Sequence, residues 1–135
     1  MKNFNNIISK IMYEKYPRTF SLMDLDAVIR VDYAINQKQY QRLIICETKY
    51  PLEFLSMQQK RKAQLKTLNL IQDSIDWNKF DKYSGVYILV AEYLEKENSD
   101  NLKTVDIYSI KDLKNPKWKS VSLDRLYKFF SNKDI

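Results

Sequence analysis

Residues 24–49 read DLDAVIRVDYAINQKQYQRLIICETK, and this stretch decides the fold. Two runs rich in β-branched and aromatic residues flank a polar segment around Asn36–Gln39, the pattern of a hairpin. The first strand, Leu25–Tyr33, has one apolar face (Leu25, Ala27, Ile29, Val31, Tyr33) and one polar face (Asp26, Val28, Arg30, Asp32). The returning strand, Gln41–Tyr50, is apolar on both faces through Leu43–Ile45, which predicts a more central position in a sheet. It ends in Glu47-Thr48-Lys49. Side chains alternate along a strand, so Glu47 and Lys49 share a face. A two-residue loop at Gln37-Lys38, or a four-residue loop over Asn36–Gln39, places Asp26 opposite Lys49 and Val28 opposite Glu47. Either loop gathers an aspartate, a glutamate and a lysine at one end of the ribbon. A slip of one residue would turn Asp26 to the other face and scatter the cluster.

An acidic residue heading an apolar strand, a hairpin, and an apolar strand ending in E-x-K together resemble the PD-(D/E)XK nuclease superfamily, with its restriction-endonuclease-like fold. The matching residues are Asp26, Glu47 and Lys49; Leu25 stands where the superfamily often has proline, and Asp24 is a second candidate for the aspartate. The resemblance covers residues 3–93 as an order of elements. It implies an α/β fold with an αβββαβ-type core, a mixed sheet flanked by helices, and here a C-terminal helix. It also implies a Mg²⁺ or Mn²⁺ ion held by Asp26, Glu47 and the backbone carbonyl of Thr48, with Lys49 beside the reacting phosphate. Oxygen donors with one amine suit such hard cations. A further (D/E)-x-K triplet, Asp112-Leu113-Lys114, has no apolar strand before it and reads as a solvated loop. In a chain that is 30% charged, such triplets arise by chance.

The amino-acid inventory excludes other chemistries. Histidine is absent, which removes His-based acid–base catalysis, Ser-His-Asp triads and the usual zinc sites. The single cysteine, Cys46, allows no internal disulfide and points to the apolar side of its strand. The 135 residues suit one domain, and no apolar run approaches a membrane span. The amphipathic start lacks the apolar block of a signal peptide, so the expectation is a soluble, intracellular (cytoplasmic) protein.

Charge is uneven. Seven basic residues between Lys38 and Lys66 face two acids, while the rest of the chain is nearly neutral. A basic excess around the E-x-K strand suits a phosphate-backbone partner, DNA ahead of RNA. Within it, Lys60, Arg61, Lys62 and Lys66 are the expected nucleic-acid contacts.

Residues 3–16 read as an amphipathic helix on Phe4, Ile7, Ile8 and Ile11. Glu14 ends that stripe; by resemblance it is an ancillary metal ligand, and otherwise a partner of Lys10 or Arg18. Residues 52–76 read as one long helix with Leu65, Leu68, Ile71 and Ile75 as its core stripe. Its basic, amide-bearing first half lies where related nucleases place groups near the scissile phosphate, with Gln58 (or Gln59) as the match. Ser84–Tyr93 predicts a buried strand, Thr104–Ile110 another, and Trp118–Leu123 a short edge strand. Residues 123–131 predict a final helix, capped by Ser122, with Leu123, Leu126, Tyr127 and Phe130 inward.

The function expected is therefore a metal-dependent endonuclease or exonuclease, structure-directed or non-specific because no separate DNA-reading domain is visible. Cutting two strands would call for a homodimer, with Tyr127, Phe129 and Phe130 as a candidate interface. The alternatives are an inactive nuclease-fold module that binds nucleic acid, and a protein-interaction adaptor.

Overall fold

The computed structural model describes residues 25–60 and 62–131. The expected first helix, with Glu14, lies outside the described residues, as do Asp24 and Arg61. Within them the order is β1 (Ala27–Ile35), β2 (Lys38–Lys49), α1 (Pro51–Gln59), α2 (Lys62–Ser74), β3 (Gly85–Val90), β4 (Thr104–Ser109), β5 (Trp118–Ser122) and α3 (Leu123–Phe130). The five strands form one sheet in the spatial order β1-β2-β3-β4-β5. β2 and β3 are parallel and the other pairs antiparallel, so the sheet is mixed and the chain is α/β. A parallel pair needs a crossover, and α1 with α2 supply it. No helix among the described residues is long and apolar enough to cross a membrane.

Each sheet face carries its own core. Ile44 and Cys46 of β2 pack with Tyr87, Leu89, Val105, Ile107 and Val121, under Phe129 of α3. On the opposite face, Ile45 of β2 packs with Val86, Ile88 and Val90, under Phe54 and Met57 of α1 and Leu68 of α2. Consecutive residues Ile44 and Ile45 thus serve different cores, which is why β2 is apolar on both faces. β3 is buried along its whole length, as its continuous apolar run predicts. Each aliphatic side chain so enclosed contributes about 1.5–3 kcal/mol over an exposed one.

Four expectations need correction. The hairpin turn is Asn36-Gln37, not a loop reaching Lys38, because both turn residues adopt left-handed φ of 52° and 69°. A type I′ turn, whose twist matches the strands, has positive φ at both positions, which asparagine tolerates well. The helix expected over residues 52–76 is two helices. Lys60 leaves helical geometry at φ −121°, and Gln59, Lys60, Lys62 and Ala63 are all exposed, so no core contact holds that segment in one straight helix. α1 starts at Pro51, its first turn tied by the Tyr50 N–H donating to the Glu53 carboxylate at 3.0 Å.

The other two corrections concern the C-terminal helix and Arg42. Ser122 caps α3 as expected, its hydroxyl accepting from the Arg125 N–H. The buried residue of α3 is Phe129, however, while Tyr127 is 63% and Leu123 42% exposed. Phe129 is therefore core, and the three aromatics of α3 do not form one outward interface. Arg42 is buried on the face of α3. It pairs with Asp81 at 2.7 Å, donates to the carbonyls of Lys128, Phe129 and Ser131, and lies over the Tyr83 ring. Its charge closes the C-terminal end of α3, where carbonyls lack helical partners, and is unavailable to a phosphate.

Candidate active site

β2 carries Glu47 and Lys49 at its C-terminal end, on the face covered by α1 and α2. Glu47 lies beside Ile88 of β3 and Lys49 beside Val90, both in that core. The Glu47 carboxylate is buried and its Oε1 lies 3.8 Å from Lys49 Nζ, whose side chain is 12% exposed. A buried carboxylate needs a compensating charge, and the lysine two residues on supplies one.

Asp26 arrives from the other strand. The register runs Ile35↔Lys38 through Ala27↔Cys46, so the next pair sets Asp26 across from Glu47, and Val28 lies across from Ile45. The expected pairs, Asp26 with Lys49 and Val28 with Glu47, are displaced by two residues because the turn closes one residue earlier than either expected loop. A two-residue displacement preserves faces, since side chains alternate with period two. By register Asp26 falls across from Glu47 instead of Lys49, and its carboxylate contacts Thr48, whose side chain lies on the opposite face of β2 from Glu47 and Lys49.

The Asp26 carboxylate is anchored. Its Oδ2 accepts from the Thr48 backbone N–H at 2.6 Å and from the Thr48 hydroxyl at 2.7 Å. β1 begins only at Ala27, so the aspartate side chain continues the ladder one step beyond the backbone pairing. Strand residues present N–H and C=O on the same edge, so the Thr48 carbonyl also faces the β1 side. Both hydrogen bonds fall on one carboxylate oxygen. Asp26 and Glu47 both bear on Cys46, which pairs with Ala27 and directly precedes Glu47. Burial first, then these two negative charges, pushes its thiol up to about 12. Cys46 is thus a protonated core thiol and no nucleophile.

Oxygen groups are the kind of donor that hard cations take. No group of three or more Asp, Glu, Cys or His side chains among the described residues could hold a metal. The oxygen groups at this strand end are the Glu47 carboxylate, the Asp26 carboxylate on Thr48 and the Thr48 carbonyl, and Mg²⁺ is commonly held by one or two carboxylates with waters and substrate phosphates completing its shell.

The remaining expected residues divide. Gln58 donates its side-chain amide to the Leu113 carbonyl at 3.0 Å, tying α1 to the loop after β4. Lys60, Lys62 and Lys66 are exposed and make no ion pair with another described residue. Asp112 and Lys114 of the second triplet lie exposed after β4, as expected of a solvated turn. Of the hairpin tyrosines, Tyr33 and Tyr40 stack on each other at 5.4 Å, and Tyr33 donates to Asp81.

The sequence reading missed the Thr48 hydroxyl, having used only that residue's carbonyl. Its signal was a hydroxyl residue between the two charged ones, on a strand whose neighbour runs out opposite it. Neither a protein-family model, a curated protein nor a solved structure matches the chain.

Proposed function

We propose that this chain is a metal-dependent nuclease of restriction-endonuclease-like fold that hydrolyses phosphodiester bonds, in DNA ahead of RNA, by structure-directed or non-specific cutting. The observation that supports this reading is the buried Glu47 with Lys49 at 3.8 Å at the end of β2, next to Thr48, on which Asp26 is anchored. Asp26, Glu47 and the Thr48 carbonyl would hold Mg²⁺ or Mn²⁺. When bound, such an ion polarises a phosphate oxygen and lowers the pKa of a coordinated water.

The chain's own residues have distinct tasks in this scheme. Glu47 and Asp26 would supply the negative charge that holds the ion. Lys49 is held against Glu47 in the free protein, and places its ammonium where charge develops on the phosphate. The Thr48 hydroxyl keeps the Asp26 carboxylate turned towards β2. Lys60, Lys62 and Lys66, with Arg61, would contact the nucleic-acid backbone and confer salt dependence rather than sequence preference. Gln58 and Glu14 are assigned to the site by family resemblance alone.

A second reading is a nucleic-acid-binding module without a competent site. It is favoured by the same contacts seen differently: both carboxylates already have partners, Lys49 for Glu47 and Thr48 for Asp26.

The deciding experiment incubates labelled single-stranded, duplex and branched DNA, and RNA, with Mg²⁺ or Mn²⁺. Wild type runs beside Glu47→Ala and Lys49→Ala. The nuclease reading expects metal-dependent cutting that both substitutions abolish while binding persists. Tight binding with no cutting under either metal would select the binding module.

A further inference from the structure

β1 is the outermost strand of the sheet, and among the described residues it pairs with β2 alone. The hydrogen bonds of β2 show which of its groups remain for a neighbour. The Gln41 carbonyl accepts from the Asp81 N–H, and the Leu43 N–H donates to the Ser84 hydroxyl, both on the side away from β1. Gln41 lies opposite Asp32 and Leu43 opposite Arg30, so these are the pairs of the ladder that exchange no bonds. By alternation, the backbone N–H and C=O groups of Val28, Arg30, Asp32 and Ala34 point away from the sheet. The edge is nine residues long and contains no proline.

Its side chains are self-complementary in one register. Arg30 and Asp32 are exposed (62% and 56%) and lie 3.3 Å apart along the same strand. We propose that two copies of this chain pair antiparallel through their β1 edges, with Arg30 opposite Asp32 of the partner subunit and Asp32 opposite Arg30 of the partner subunit. That register brings the outward backbone groups of both strands together. On the other face it sets Ile29 against Tyr33 of the partner subunit and Val31 against its own counterpart, and all three residues are half-buried in the single chain. Cross-strand aromatic–β-branched and opposite-charge pairs are both favourable. A shift of two residues in either direction would oppose Arg30 to Arg30, or Asp32 to Asp32, and is disfavoured. Exposed strand edges are ordinarily protected by charge. An edge bearing one arginine and one aspartate repels other registers and attracts this one. The result is a continuous ten-stranded sheet with two copies of the Asp26–Glu47 strand end, related by a two-fold axis at Val31.

The test is a charge-swap series read by sedimentation velocity and by light scattering after size exclusion, from micromolar to millimolar protein. Wild type is expected to move from 16.3 kDa towards twice that mass as concentration rises. Arg30→Asp gives an edge with two acids and Asp32→Arg an edge with two arginines, so each alone is expected to remain monomeric. Mixed in equal amounts, they are expected to form a heterodimer, because opposite charges then meet at both positions. The double variant R30D/D32R is expected to dimerise like wild type. Both substituted side chains are exposed, and circular dichroism confirms folding. A wild type that stays monomeric throughout would overturn the proposal. So would dimers that persist in both single variants, which would place the interface elsewhere.

Discussion

The Thr48 hydroxyl donates to Asp26 Oδ2 at 2.7 Å, and the Thr48 backbone N–H donates to the same oxygen at 2.6 Å. One residue therefore supplies both bonds that fix the aspartate. Thr48→Val keeps the β-branched shape and the N–H but removes the hydroxyl. It is expected to cost about 1 kcal/mol, read as a lower urea midpoint at unchanged slope. Thr48→Ser should recover most of that loss.

The Arg42–Asp81 pair is a second test of stability. Arg42→Met leaves a largely enclosed carboxylate without its partner and the end of α3 without its donor. The expected loss is about 3–5 kcal/mol, measured by urea unfolding.

Asp81 also predicts a pH dependence. Burial pushes its carboxyl up, but hydrogen bonds from Tyr33 and Arg42 and the guanidinium charge outweigh it and hold the group below its usual value. The folded state thus binds this proton more weakly than the unfolded chain. The resulting stabilisation is complete above the unfolded value, about 4, and is lost as pH falls through the lower folded value. Stability measured against pH should fall less steeply at the acid end in Asp81→Asn than in wild type.

Gln72 is buried in α2 and its side-chain carbonyl accepts from the Val86 N–H at 2.9 Å. Gln72→Leu would leave that N–H, in the central strand, without an acceptor. A loss of about 1–3 kcal/mol is expected. Hydrogen exchange should show the Val86 amide as a site of reduced protection.

Cys46 gives the alkaline counterpart. With its thiol at about 12 in the folded protein against 9.0 otherwise, its contribution is complete below 9.0 and declines as pH rises beyond it. At mildly alkaline pH, labelling by a thiol-specific disulfide reagent should proceed at the rate of unfolding in the native protein, and at once in guanidinium chloride.

The period-two pattern of residues 25–49 made the hairpin and the shared face of Glu47 and Lys49 legible, because alternation is written directly in residue type. The pairing partner of Asp26 was not, because register depends on which residues take left-handed backbone, and Asn36-Gln37 competes with its neighbours on similar terms. The stripe Leu65, Leu68, Ile71 and Ile75 gave the second helix, but no proline or glycine marks the break at Lys60. Arg42 was counted in the basic excess between Lys38 and Lys66, although its place on the same face as Ile44 and Cys46 pointed inward. A charge in an apolar strand is readable as buried only when its counter-charge is known, and Asp81 lies far along the chain.

The parallel pairing of β2 with β3 has a consequence for how the molecule assembles. β1 and β2 meet across a two-residue turn, a local closure on the microsecond scale. Ile44 meets Gly85 only after α1, α2 and the segment beyond them have been brought back over the sheet. Such distant closure is slow. The ribbon bearing Asp26, Glu47 and Lys49 can therefore form early as an open, hydrated hairpin. Its glutamate is withdrawn from water only in the late step that seats β3, so a chain arrested before that step would hold all three residues in register and lack the enclosed carboxylate.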